Sequence, residues 1–189
     1  MDRTYFESLL GKVRAKMDEN RYNHTLGVAH TAAALAMCYG SDSDKALIAG
    51  ILHDNAKCGL DEEILKECND FGIEVTDFER NNPFMLHGKL GAYYARTEFG
   101  IEDEDIINSI VWHTTGRPDM SLLEKIVFVA DYIEPLRYKQ KNLKEIREMA
   151  FSDLDECVYM IARDTVDFIE SHGKNLDDMT VRTRDFYKK

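Results

Sequence analysis

The chain carries histidines and aspartates whose types and spacing could build one metal site. Four of its six histidines and two of its aspartates fall in suggestive settings: His24, His53, Asp54, His87, His113 and Asp131. Imidazole and carboxylate are ligands of divalent metals such as Fe, Mn, Co or Zn. A set without thiolates is unlike a structural zinc site, and it suits a hydrolytic site whose open positions hold water and a substrate oxygen.

Asp131 is the most informative of these residues because it lies in the apolar run IVFVADYI. A carboxylate buried there without a partner would be costly, so it either faces solvent or meets a positive group such as a metal ion. Ordinary roles stay open at this point. Asp131 could pair with Lys125 or Arg137, Asp54 could cap a following helix, and each histidine alone could be a polar surface or hydrogen-bonded core residue.

The elements that would position these residues are all helices. His24 falls on a helix predicted over about 22–39, and His53 with Asp54 lies near the end of the next one. His87 opens the stretch HGKLGAYYARTEFG, and His113 closes DEDIINSIVWH. The run that holds Asp131 follows Ser121-x-x-Glu124, a capping box that favours a helix over a strand.

Further signals predict where other helices begin. Thr4-x-x-Glu7 reads as a capping box for the first helix, Asp44 as the cap of a third that ends near Gly59, and Asp61 as the start of a fourth. No strand alternation with hairpin turns is evident. We therefore predict an all-α fold, a compact helical bundle in one domain over 1–189, with a motif core at about 20–140 and C-terminal helices over 141–189.

Composition limits the partners. The 35 acids and 24 bases give a net charge of −11, which disfavours general binding of nucleic acid or anionic membranes. No apolar run approaches the roughly 18 residues of a membrane span, and the start lacks the apolar core of a secretory signal. Four cysteines form no CxxC pair and read as reduced thiols, so we predict a cytoplasmic protein with a small-molecule partner, no nucleic acid and no membrane. The sequence does not predict the oligomeric state.

At this point the ordered H…HD…D set resembles the HD superfamily of metal-dependent phosphohydrolases. The surrounding segments RYNHTLGVA, GILHDNAK, HGKLGAYYA and VWHTTGRPDMSLLEKIVFVADYIEPLR are similar to the YqeK-type family, the bacterial symmetrical bis(5'-nucleosyl)-tetraphosphatases. The resemblance covers nearly the whole chain and becomes less specific beyond about Lys174. Asn55 and Cys58 stand at positions of the motif that vary, and neither change removes a ligand.

The resemblance implies an all-α enzyme that uses iron, with manganese or cobalt as alternatives and one or two ions, to cleave diadenosine tetraphosphate into two ADP. It implies four metal ligands: His24, His53, Asp54 and Asp131. His87 and His113 would face the substrate phosphates or bind a second metal. Lys57 matches the lysine after the HD doublet, Arg137 matches the arginine that ends ADYIEPLR, and Arg21 and Thr114 flank ligand motifs. The predicted substrate contacts are Arg21, His24, Lys57, His87, His113, Thr114, Asp131 and Arg137.

The corresponding mechanism is attack of a metal-activated water on an inner phosphorus, in line with the leaving phosphate. The predicted catalytic residues are Asp54, Lys57, His87 and His113. Asp54 would orient the water or bridge a second metal, and Lys57, Arg137, His87 and His113 would supply positive charge. Two alternatives remain. One is another HD phosphohydrolase, a nucleotidase or a deoxynucleotide triphosphohydrolase, and the other is a non-catalytic nucleotide-binding HD domain, which would be expected to have lost ligands.

Overall fold

The structure is a computed structural model that describes residues 2–57 and 59–189, so Cys58 lies outside the described residues. Within them all regular structure is helical, which confirms the all-α prediction. The helices are α1 (Arg3–Arg14), α2 (Glu19–Tyr39), α3 (Ser43–Leu52), α4 (Asp61–Asp70), α5 (Asp77–Asn81), α6 (His87–Thr97), α7 (Glu104–Trp112), α8 (Leu122–Ile133), α9 (Leu143–Met149), α10 (Leu154–Ser171) and α11 (Asp178–Tyr187). A 3₁₀ turn, Pro83–Leu86, precedes α6.

Two of the predicted helix starts are confirmed. Ser121 caps α8, its side chain accepting from the Glu124 amide while Glu124 accepts from the Ser121 amide. Asp61 is the first residue of α4.

Two predicted caps are wrong by two residues. The cap of α1 is Asp2, which accepts from the Thr4 amide, and the cap of α3 is Asp42, which accepts from the Asp44 amide. In each case an acid two residues upstream caps the helix instead, so the helix begins earlier, and the carboxylate is as good a cap as the predicted residue. Asp18 similarly starts α2 at Glu19, three residues earlier than predicted.

The third helix is also shorter than predicted, and this matters for the site. It ends at Leu52 rather than near Gly59, so His53 and Asp54 lie in the consecutive turns that follow α3. His53 itself keeps a helical backbone, and tighter turns follow it, in which the Asn55 amide donates to the Leu52 carbonyl and the Lys57 amide to the Asp54 carbonyl.

The core is organised around α8, which is buried on nearly every side. Its apolar residues Ile126, Val127, Val129 and Ala130 are at most slightly exposed, as expected of a helix surrounded by others. Helices α2, α7 and α10 pack against it, and α3 packs against α2. Asp131 is the polar residue that ends this apolar run, close to where α2, α3 and α7 converge.

Two glycines allow unusually close helix packing next to the histidines. A Cβ on Gly50 of α3 would lie 2.6 Å from Cα of Ala29 in α2. A Cβ on Gly88 of α6 would lie 2.7 Å from the carbonyl oxygen of Val111 in α7. Contacts this short are forbidden to a side chain, so glycine is required if these helices are to approach as they do. No helix in the described part is long and apolar enough to cross a membrane.

Candidate metal centre

Three of the four histidines occupy the same local position, the C-terminal end of a helical segment. His53 caps the C-terminus of α3, His113 caps that of α7, and His87 caps the 3₁₀ turn and is the first residue of α6. Each ring uses Nδ1 to donate to the carbonyl three residues earlier, on Gly50 (2.7 Å), Ile110 (2.7 Å) and Phe84 (2.6 Å). The last carbonyls of a helix lack partners within it, so the ring satisfies one of them and is oriented by it.

The fourth histidine is oriented by a side chain. His24 Nδ1 lies 3.0 Å from Oε1 of Glu134, a buried carboxylate. All four acceptors are oxygens that cannot donate, so Nδ1 carries the hydrogen in every ring and Nε2 is left as the ligand atom. Partners of this kind on the outer nitrogen are typical of metal-binding histidines.

The four Nε2 atoms converge on Asp54, which is 1% exposed. Its Oδ1 lies 3.4 Å from Nε2 of both His87 and His113. Its Oδ2 accepts from Arg21 Nη1 at 2.6 Å and lies 3.4 Å from His53 Nε2 and 3.8 Å from His24 Nε2. The two oxygens of one carboxylate therefore face two different pairs of histidines.

Asp131 closes the site on the side of His24. Its Oδ1 lies 3.0 Å from His24 Nε2 and 3.9 Å from His53 Nε2. Arg137 Nη2 donates to the same oxygen at 2.5 Å and lies 3.3 Å from His24 Nε2. Of the two alternative partners that the sequence left open for Asp131, Arg137 is therefore present, whereas Lys125 pairs with Asp155. The capping alternative for Asp54 is excluded, because Leu60 precedes α4.

The electrostatics favour ionised carboxylates and a neutral imidazole. Burial would raise the pKa of Asp54, but the adjacent rings of His53 and His113 and the Lys57 ammonium outweigh it and hold that pKa well below its usual range. Asp131 follows the same balance, with burial opposed by His24, His53 and Arg137, so its pKa is also low.

Burial, assisted by the charge of Lys57 and by His113, lowers the pKa of His87 to about 3. His87 is therefore uncharged at neutral pH. This corrects the expectation that it supplies positive charge to the substrate. A buried neutral imidazole offers a lone pair, which is what a metal ligand requires.

The cluster fits a divalent cation because some of its buried nitrogen and oxygen atoms lack a hydrogen-bond partner. Nε2 of His53 and Oδ1 of Asp54 are buried and have no hydrogen-bond partner, which is costly without a cation. The Nε2 atoms of His87 and His113 are 3.1 Å apart, and the single Thr114 hydroxyl hydrogen can satisfy only one of them. Among the described residues, two groups bring their ligand atoms within 4.8 Å of one another: His24, His53 and Asp131, and His53, Asp54 and His113.

The structure brings every predicted site residue to this cluster. Lys57, one third exposed, places Nζ 3.4 Å from Asp54 Oδ1. Thr114 contacts His87 and His113, while Arg21 and Arg137 each donate to one of the aspartates. Their roles toward metal and substrate stay predictions.

Sequence reasoning missed Glu134 and the role of Asn55. Glu134 orients His24 and also accepts from the Leu136 amide at 2.7 Å, although the sequence IEPLR presents it as an ordinary acid at a helix end. Asn55 donates from Nδ2 to the carbonyls of Leu52 and Gly91, which ties the turn after α3 to α6. The sequence shows that Asn55 stands at a variable position of the family motif. It does not show that Asn55 binds the carbonyl of Gly91, 36 residues away.

Comparison with known proteins identifies the family. The HD domain family matches residues 21–136. The chain is similar to two proteins named symmetrical bis(5'-nucleosyl)-tetraphosphatase. It is 43% identical to that of Halalkalibacterium halodurans over 90% of each chain, and 41% identical to that of Bacillus subtilis over 86% of this chain and 87% of the relative.

A crystal structure from Clostridium acetobutylicum, described as an HD superfamily hydrolase involved in NAD metabolism, has a TM-score of 0.93 and 41% identity, covering 96% of both chains. Fold, ligand pattern and relatives agree along nearly the full length of the chain. The chain belongs to the HD domain family, within the group of symmetrical bis(5'-nucleosyl)-tetraphosphatases.

Proposed function

We propose that the protein hydrolyses diadenosine tetraphosphate, or a related bis(5'-nucleosyl) tetraphosphate, symmetrically to two nucleoside diphosphates. The observation that carries the proposal is the convergence of four Nδ1-anchored histidines and two aspartates on one buried centre, in a chain so similar to the named relatives. A non-catalytic HD domain would have no reason to keep the complete set.

We further propose His24, His53, Asp54 and Asp131 as ligands of one divalent ion, with His87, His113 and Asp54 able to hold a second. A bound ion supplies a water nucleophile of lowered pKa and neutralises charge on the phosphate oxygens. Mixed imidazole and carboxylate donors suit iron, manganese and cobalt alike. We propose iron as the first metal to test, on the family resemblance.

The remaining chemistry belongs to the residues of the chain. Phosphoryl transfer depends mainly on position and charge, and the cations closest to the cluster are Lys57, Arg21 and Arg137. Asp54 lies at the centre of the cluster, in contact with all four histidines, so it is placed to orient the water. Water oxygen forms a bond to one inner phosphorus, the bridging P–O bond breaks, one water proton is released, and two diphosphates leave.

The proposed substrate is a small dinucleotide and not a nucleic acid, because the net charge of −11 opposes binding of long polyanions. We propose a cytoplasmic location, for which the described thiols of Cys38, Cys68 and Cys157, all free, are the supporting observation.

Anaerobic purification with metal analysis, followed by chromatography of the products from diadenosine tetraphosphate, tests the proposal. We expect bound metal and ADP as the only nucleotide product. ATP with AMP would contradict symmetrical cleavage, and phosphate release from mononucleotides alone would favour another HD phosphohydrolase. Asp54→Asn should be inactive, whereas the equally conservative Asp70→Asn on exposed α4 should behave as the wild type.

A further inference from the structure

We propose that two cavities, at the two ends of the metal cluster, each receive one nucleoside of the substrate. The inference rests on the proposed function and adds a binding site to it. A bond cleaved at the middle of the substrate has an equal nucleoside diphosphate on each side. A cluster that acts on this bond therefore needs a place for a nucleoside at both of its ends.

The first cavity, called the loop cavity, is about 520 Å³ and lies at the His24 end. Its lining includes Arg21, His24, Arg137 and Tyr138. Arg21 and Arg137 contact the aspartates of the cluster and mark the path of the phosphates. Tyr138 is 77% exposed, and an aromatic ring so placed next to two arginines suits stacking on a nucleobase.

The second cavity, called the tryptophan cavity, is about 290 Å³ and lies at the His87 and His113 end. Its lining includes Thr114, whose hydroxyl lies within 3.2 Å of Nε2 of both histidines, so one lining residue of this cavity contacts the cluster. Phe78 and Trp112, the single tryptophan of the chain, contribute half-buried rings to the lining. Ligand cavities run from about 300 Å³ upward, so its size suits one nucleoside rather than a whole dinucleotide.

The charge of the tryptophan cavity points to the same occupant. Glu79, Asp177 and Asp178 line it against one base, Lys89, which is itself paired with Glu79 at 2.7 Å. Such a lining repels phosphates but accepts hydrogen bonds from ribose hydroxyls and an exocyclic amine. A neutral nucleoside therefore fits where a polyphosphate does not.

Asp54 connects the two ends. Its Oδ2 faces Arg21 and His24 at the loop cavity, and its Oδ1 faces His87 and His113 at the tryptophan cavity. Another cavity, about 730 Å³ beside Tyr132 and Phe168, has no lining residue that hydrogen-bonds to a predicted metal ligand, so its volume alone does not make it part of the site.

The test uses the metal-loaded enzyme with two truncations. Trp112→Ala and Tyr138→Ala should each raise KM for diadenosine tetraphosphate about tenfold with a smaller change in kcat, since a stacked base contributes that order of affinity. Trp112→Phe and Tyr138→Phe should retain most of the wild-type KM. Phe151→Ala, which removes another exposed ring away from both cavities, is the matched control and should change nothing.

Two further measurements separate nucleoside binding from damage to the cluster. Inorganic tetraphosphate, which has no nucleoside, should inhibit the wild type and both alanine variants with the same inhibition constant. ADP titrated into the wild type should change the fluorescence of Trp112, the single tryptophan, in a saturable way, and inorganic tetraphosphate should not reproduce this change.

The inference is overturned if the alanine variants keep the wild-type KM, or if ADP leaves the fluorescence of Trp112 unchanged. It is also overturned if these variants weaken the binding of inorganic tetraphosphate as much as the binding of the dinucleotide. A wild-type enzyme that fails to form two ADP would instead refute the proposed function. Fluorescence titration with ADP would still report on the tryptophan cavity in that case, so the two failures are distinguishable.

Discussion

Glu134 should control the metal affinity of the protein without being a ligand itself. It is 1% exposed, accepts from His24 Nδ1 at 3.0 Å, and accepts from the Leu136 amide at 2.7 Å. Glu134→Ala leaves a buried ring nitrogen without its acceptor and frees the ring to rotate. Loss of such an outer partner lowers metal affinity by about 10–100-fold, which corresponds to roughly 1.4–2.8 kcal/mol.

Gly27→Ala tests the same contact without changing Glu134. A Cβ at Gly27 would clash with Oε2 of Glu134 and lie 3.2 Å from its Cδ. The carboxylate must then move, and this movement should weaken its hydrogen bonds to His24 and to the Leu136 amide. We expect Gly27→Ala to weaken metal binding in the same direction as Glu134→Ala and by a similar factor.

Competition with a chelator, followed by metal analysis of the protein, measures these affinities directly. Gly11→Ala is the matched control, because no atom lies within 4 Å of a Cβ at this position in α1. It should leave metal affinity unchanged and stabilise the fold by about 0.5–1 kcal/mol, the ordinary gain for alanine in a helix. Wild-type metal affinity in both Glu134→Ala and Gly27→Ala would refute the reasoning.

Three further predictions concern single side chains. Asp131→Ala should weaken metal binding beyond about a hundredfold and abolish hydrolysis; normal turnover by this variant would remove Asp131 from the site. Lys57→Ala should keep the metal content and lower kcat about a hundredfold, as for loss of one charge-stabilising donor, and unchanged kinetics would contradict its role. Asp103 caps α7 and pairs with Lys45, a side-chain hydrogen bond that holds the pKa of Asp103 below its unfolded value of 3.8. Its stabilisation is therefore present above pH 3.8 and lost as pH falls through the lower folded pKa, so Asp103→Ala should cost about 1 kcal/mol at pH 7 in urea unfolding and less at pH 2.

The helices and the ligand types were predictable because both depend on local pattern. The Ser121-x-x-Glu124 box placed α8, and the apolar run around Asp131 made that carboxylate conspicuous. Helix starts were harder to predict where two acids lie two residues apart and either could cap the helix, as with Asp42 and Asp44. In such pairs the geometry of the side chains determines which acid caps the helix, and this geometry cannot be read from the sequence.

The partners that orient the ligands were not predictable, for a physical reason. Glu134 is 110 residues from His24, and Gly91 is 36 residues from Asn55. Both contacts exist only after α2, α3, α6 and α8 have packed. The neutral state of His87 follows from the same packing, since burial is the largest cause of its low pKa.

The placement of the histidines also explains how an acidic chain can act on a polyphosphate. His53 and His113 end α3 and α7, and Asp131 lies in the last turn of α8. A helix C-terminus carries about half a negative charge, so these ends and two ionised aspartates make the centre attractive to a cation and repellent to a phosphate. The phosphates of the substrate should therefore bind only after the metal ion has bound. Arg21, Lys57 and Arg137 add positive charge at the edge of the cluster. The net charge of −11 therefore disfavours loosely held polyanions, and we propose that the centre accepts one that a bound cation neutralises.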